Sequence, residues 1–182
     1  MAQIGLKYLR YSLIDEETNK YTGVKILGKA IETKVAPNIA EGKLFADDNV
    51  AESSKIVTGG TVDVTVDDIS AETYAEVLGH DYNETTKELV RNSNDIAPYL
   101  GLGRIITKMK NGIRKYKAEF ISKVQFKSSL PDEKTKGDSI EFATPSLSGD
   151  FFVLDDGIWS KTAEFDTEAE AKTYLDELMA SE

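Results

Sequence analysis

The sequence predicts a mainly β protein: an antiparallel sandwich or barrel with one short internal helix and one amphipathic C-terminal helix. Three observations carry that expectation. Residues 104–126 read as one long hairpin folded at Asn111-Gly112, the pair that best supplies the two positive φ angles of a tight type I′ turn. Most other apolar residues recur with period two, in short runs divided by Gly, Pro, Asn and Asp. Only 70–79 and 167–179 switch to helical spacing. Roughly eight or nine strands with two helices favour antiparallel sheet layers with the helices packed outside.

In chain order, 4–14 reads as a strand whose apolar phase changes: Ile4, Leu6 and Tyr8 hold one face, and Leu9, Tyr11 and Leu13 the other. Such a switch implies a bulge or two differently buried faces. A polar turn at 15–19 leads to a second strand at 23–35, with Leu27, Ile31 and Val35 on one side. The next segment, 36–60, holds apolar residues without a sustained period. It is longer than most structureless connections in compact domains, so it reads as a loop that is functional, mobile or ordered by a partner. Leu44, Phe45 and Ala46 form a short strand candidate inside it.

Residues 61–66 alternate cleanly, with Val62, Val64 and Val66 inward. A short helix follows, with Ser70 as N-cap, Tyr74, Val77 and Leu78 as its stripe, and Gly79 as its αL terminator. Residues 80–94 are polar, with a minor strand near 88–91. In the hairpin, Ile105, Met109, Tyr116, Ala118, Phe120, Val124 and Phe126 occupy one face. Lys108, Lys110, Lys115 and Lys117 occupy the other, with Lys108 opposite Lys115. After a charged connector, 139–143 is a short strand, 145–149 a break, 151–154 a buried apolar run, 155–157 a turn, and Trp159 restarts a strand. Thr167 with Glu170 makes a capping box for a helix of about 13 residues, striped by Ala171, Tyr174, Leu175 and Leu178. No repeat or linker divides the chain, so 1–182 reads as one domain.

Composition narrows function. The net charge of −10 disfavours sequence-independent grip on DNA, which needs surplus Lys and Arg. The absence of Cys removes thiolate chemistry and disulfides and fits a reducing compartment. No run approaches the roughly 18 apolar residues of a membrane helix, and the N-terminal residues lack the pattern of a signal peptide. His80 is the only histidine and has no Cys partner, so it reads as a surface or capping residue. The doublets Asp47-Asp48, Asp67-Asp68 and Asp155-Asp156 lack calcium-loop spacing and read as turn carboxylates. Gly101-Leu102-Gly103 lacks the third glycine of a dinucleotide fingerprint and reads as a loop entering the hairpin. Ser146-Leu147-Ser148-Gly149 lacks a nucleophile elbow. No catalytic residue, metal site or cofactor is expected.

The lysine face has a plain reading, a solvated strand face that discourages aggregation. The sharper reading starts from the unfavourable Lys108–Lys115 cross-strand pair, which a neighbouring subunit's carboxylates would ease.

Three stretches carry a family resemblance. They are Lys43-Leu44-Phe45-Ala46-Asp47-Asp48-Asn49, the run Gly59-Gly60-Thr61-Val62-Asp63-Val64-Thr65-Val66-Asp67-Asp68-Ile69, and Ile140-Glu141-Phe142-Ala143-Thr144-Pro145-Ser146-Leu147-Ser148-Gly149-Asp150. In order and spacing the chain resembles the major tail proteins of phages with long non-contractile tails, over nearly its whole length; the C-terminal helix is the least typical part. The resemblance implies a tail-tube fold, hexameric rings that stack into a hollow tube, and bridging loops. It implies DNA passing through the lumen without specific binding. The implied partners are copies of the chain and other tail proteins: an initiator complex, a tape-measure-type protein and a terminator. The implied location is the virion, after synthesis in the bacterial host cytoplasm. The expected assembly residues are Lys43, Leu44, Phe45, Asp47, Asp48 and Asn49 in the long loop, with Lys108, Lys110, Lys115 and Lys117 on the hairpin. Two rival expectations are a monomeric β-sandwich binding or adhesion module, which needs an exposed aromatic platform, and a metal-dependent hydrolase, which needs a ligand cluster.

Overall fold

Asn111 and Gly112 adopt φ of 52° and 80°, the left-handed pair that a two-residue hairpin turn demands. The computed structural model of the protein describes residues 2–15, 17–18, 20–46, 49–127 and 144–180. Within them the order is β1 (Ala2–Leu13), β2 (Lys25–Ile26), β3 (Ala30–Ala46), β4 (Asn49–Val66), α1 (Ala71–Leu78), β5 (Asp81–Asn83), β6 (Glu88–Val90), β7 (Leu100–Lys110), β8 (Ile113–Phe126), β9 (Ser146–Phe151), β10 (Ser160–Phe165) and α2 (Glu168–Met179). Strands hold most of the described residues, which makes the protein mainly β.

Every strand pairing is antiparallel. One sheet runs β2-β1-β7-β8-β9-β4-β3, with β10 branching from β8, and β5 pairs with β6 alone. The branch arises because β8 has two neighbours on one side. Tyr116 to Ile121 bond to β10, while Val124 to Phe126 bond to β9. Between them β8 carries an extra residue: Leu102 faces Ile121, but Leu100 faces Val124. A bulge of this kind reverses the side-chain phase.

That reversal corrects the expected single apolar face of the hairpin. Val124 and Phe126 join Leu102 and Ile121 in one core, whereas Ile105, Ala118 and Phe120 belong to a second. The first core also takes Leu9 and Tyr11 from β1, Val62, Val64 and Val66 from β4, and Val77 and Leu78 from α1. Strands near opposite ends of the sheet thus meet in one core, so the sheet curls. The second core lies beneath α2, whose Ala171, Leu175 and Met179 are fully buried. Gly101 and Gly103 stand inside β7, not in a loop before it. A Cβ at Gly101 would strike Phe120 and Tyr21, and one at Gly103 would strike Met179.

Local signals hold at the helix ends. The Ser70 side chain accepts from Thr73 N, and Gly79 closes α1 at φ 72°. Thr167 and Glu170 form the full capping box of α2. Elsewhere the structure departs from the pattern. The expected strand at 23–35 divides into β2 and β3, and Ile31 is 51% exposed at a register shift. The expected break at 145–149 lies largely within β9, and 152–154 follow that strand half-buried rather than forming a buried one. The expected strand at 139–143 lies outside the described residues.

Candidate assembly interface

The largest departure falls on the segment expected to be a loop. Residues 36–46 and 49–60 continue a β3–β4 ladder that runs to Ala46 opposite Asn49. Hydrophobic period fails here for a physical reason. β9 pairs with β4 only from Gly60 to Thr65. Beyond that point β3 and β4 form a two-stranded ribbon with no third strand among the described residues. A ribbon with two solvated faces needs no inward and outward alternation. Its β3 arm, 38–46, reaches about 30 Å at about 3.3 Å per residue.

The root of the ribbon is built tightly. Gly60 lies against the Phe151 ring and the Ala36 carbonyl, where any Cβ would overlap both. A register shift between Asn38 and Ile39 follows at once. Further out, Ile39 is 60% exposed and Ile56 is 62% exposed. Ile39 pairs with Val57 and Ala40 with Ile56, so the two isoleucines occupy opposite faces. Lys43 stands opposite Ser53, Leu44 opposite Glu52, Phe45 opposite Val50, and Asn49 opposite Ala46. Asp47 and Asp48 lie outside the described residues.

The hairpin lysines are placed as the register predicts: Lys110 opposite Ile113, Lys108 opposite Lys115, and Ile106 opposite Lys117. For three of these lysines the counter-charges come from the same chain. Lys108 pairs with Glu164, Lys115 with Asp166, and Lys117 with Glu119 at 3.2 Å. Lys108 holds the Glu164 carboxyl below its ordinary range, and Asp166 raises the Lys115 ammonium. The repulsion between Lys108 and Lys115 is therefore eased internally by β10 and the residue after it, which sequence spacing does not reveal.

Arg104 extends this network inward. It is 8% exposed, bonds Glu119 through Nε at 2.7 Å, and also donates to Thr33 Oγ1 of β3. Burial opposes ionisation of Glu119, but Arg104 and Lys117 outweigh it and hold the carboxyl below its ordinary range.

Two stretches of sheet edge are unpaired among the described residues. β2 covers β1 only at Arg10 and Tyr11, leaving the outer edge of 2–9 open. β10 pairs with β8 alone, leaving its far edge open. Both edges belong to one four-stranded limb, β1-β7-β8-β10, which carries α2 on one face and the lysine–carboxylate pairs on the other.

The residues considered for chemistry take structural places. His80 is not on the surface: its side chain is 3% exposed and its Nδ1 lies 2.6 Å from Asp95 Oδ2. Asp95 also accepts from Asn92 N, and that bond first, then the one to His80, holds its carboxyl below the ordinary range. Asp156 accepts from the Ile158 amide two residues on, as turn carboxylates do, whereas Asp67 accepts from its neighbour's amide and from the distant Lys29 amide. Among the described residues no group of three or more His, Cys, Asp or Glu is arranged to hold a metal. Nor is any described helix long and apolar enough to cross a membrane. No protein-family model and no curated protein matches the sequence.

Proposed function

We propose that the protein is a structural virion component, the major tail tube subunit of a phage with a long non-contractile tail, and that its fold is of the tail-tube type. The observation that carries this reading is the β3–β4 ribbon. A lone two-stranded hairpin is marginal in water, yet this one extends about 30 Å from the body at about 3.3 Å per residue and exposes an isoleucine on each face. Such a ribbon gains its stability when a neighbouring copy covers it.

The limb edges support ring formation. Along β1-β7-β8-β10 the direction alternates, so β10 runs opposite to β1. Set beside β1 of a second copy in the same orientation, β10 continues the antiparallel order without interruption. Such a contact is head-to-tail, and a head-to-tail contact closes into rings or propagates as a tube. The hexameric count, DNA delivery through the lumen, the other tail proteins as partners and the virion location rest on the sequence resemblance. The net charge of −10 suits a channel that repels phosphate.

The test is imaging of concentrated protein by negative stain, with size-exclusion chromatography alongside. The wild type forms rings or tubes. The double variant Ile39→Glu, Ile56→Glu alters only exposed side chains and remains a folded monomer. A wild type that stays monomeric at high concentration overturns the reading.

A further inference from the structure

We propose that α2 is a register lock on β1, setting which face and which backbone groups the open edge of residues 2–9 presents to a second copy. The lock itself stands on the geometry below; its role in assembly rests on the tube reading above.

β1 carries an extra residue between Lys7 and Arg10, since Lys7 faces Ile105 and Arg10 faces Gly103. In a regular strand Lys7, Leu9 and Tyr11 would share a face. Here Leu9 and Tyr11 are buried in the first core, while Lys7 reaches the helix side and pairs with Glu168 of α2. The flip is made at Tyr8, which holds φ at 56°. A bulky non-glycine residue keeps that conformation only when its surroundings impose it.

α2 supplies most of those surroundings, and Arg10 of β1 itself supplies the rest. The Tyr8 hydroxyl bonds both carboxylate oxygens of Asp176, at 2.8 and 2.9 Å. The Arg10 guanidinium lies 4.1 Å from the Tyr8 ring centroid, and Lys172 Nζ lies 5.3 Å from it. Downstream of the bulge, Ser12 Oγ donates to the Met179 carbonyl at the end of α2. The helix thus grips β1 before, at and after the extra residue.

Without α2 the positive φ of Tyr8 loses its support, and Lys7 loses its carboxylate. Relaxation to regular β geometry moves residues 2–8 by one position against β7. A one-residue slip turns every side chain to the opposite face. An edge in the slipped register no longer matches the strand of a second copy, so assembly waits on a docked helix.

Amide hydrogen exchange on the full chain tests the lock. In Asp176→Ala, exchange of residues 2–8 rises roughly tenfold or more while β8 and β10 keep their protection. Adding Tyr8→Gly restores protection, because glycine holds positive φ without support from the helix. Unchanged exchange in Asp176→Ala overturns the proposal. So does a rise spread evenly over all strands, or a failure of Tyr8→Gly to restore. Imaging the same proteins separates the two readings. Asp176→Ala loses rings and the double variant regains them. Normal assembly of Asp176→Ala overturns the gate, whereas a wild type that never assembles overturns the tube reading and leaves the exchange result standing.

Discussion

Arg104 sits where three strands meet, and its guanidinium joins Glu119 on β8 to Thr33 on β3. Removing one partner of a buried pair leaves the other charge desolvated, so Arg104→Met should cost about 3 kcal/mol in a urea titration. The same pair fixes an acid dependence. Glu119 has a folded pKa below its unfolded value of about 4.3. Its contribution is fully present above that value and is lost as pH falls through the lower folded one. Urea midpoints should therefore drop in that acid window, and Glu119→Gln should flatten the drop. The Arg104–Glu119 pairing follows from the hairpin register, but the Thr33 contact and the burial of the pair do not, because they depend on β3 arriving from 71 positions away. The surface half of the reading of His80 fails for the same reason, while its backbone amide does cap α1 by donating to the Ala75 carbonyl. Its partner Asp95 belongs to a later loop, and composition alone could not join them.

Elements whose cause is local were readable. The helix caps follow from hydroxyl and carboxylate geometry over four residues, and the turn at Asn111-Gly112 from backbone sterics. The phase change in 4–14 also pointed to a bulge, and two register shifts in β1 account for it. The ribbon was not readable as strands, because no core imposes a period on it. Two predictions belong here. Thr167→Ala removes the capping hydroxyl of α2 and should lower stability by about 1 kcal/mol, measured by thermal unfolding. Gly103→Ala forces Met179 from its place and should cost about 1–3 kcal/mol. The double variant Gly103→Ala, Met179→Ala should relieve the clash part of that loss while leaving the lost burial, a non-additive result expected of touching residues.

Across the whole molecule, the mainly β antiparallel class was legible from periodicity, but the branching of the sheet was not. Branching depends on one extra residue in β8, and no signal in 121–124 marks it. Assembly should appear in bulk thermodynamics as well as in images. If copies bind only the native state, the melting temperature of the wild type should rise with protein concentration. That of Ile39→Glu, Ile56→Glu should stay flat, as scanning calorimetry over a wide concentration range would register.

The branched β8 has a mechanical consequence. β10 hangs from the first half of this one strand and β9 from its second. Tension that draws β8 out of the sheet strips it from β7, β10 and β9 together, so no pairing to β8 survives as a partial remnant. The body should therefore rupture in a single step under load.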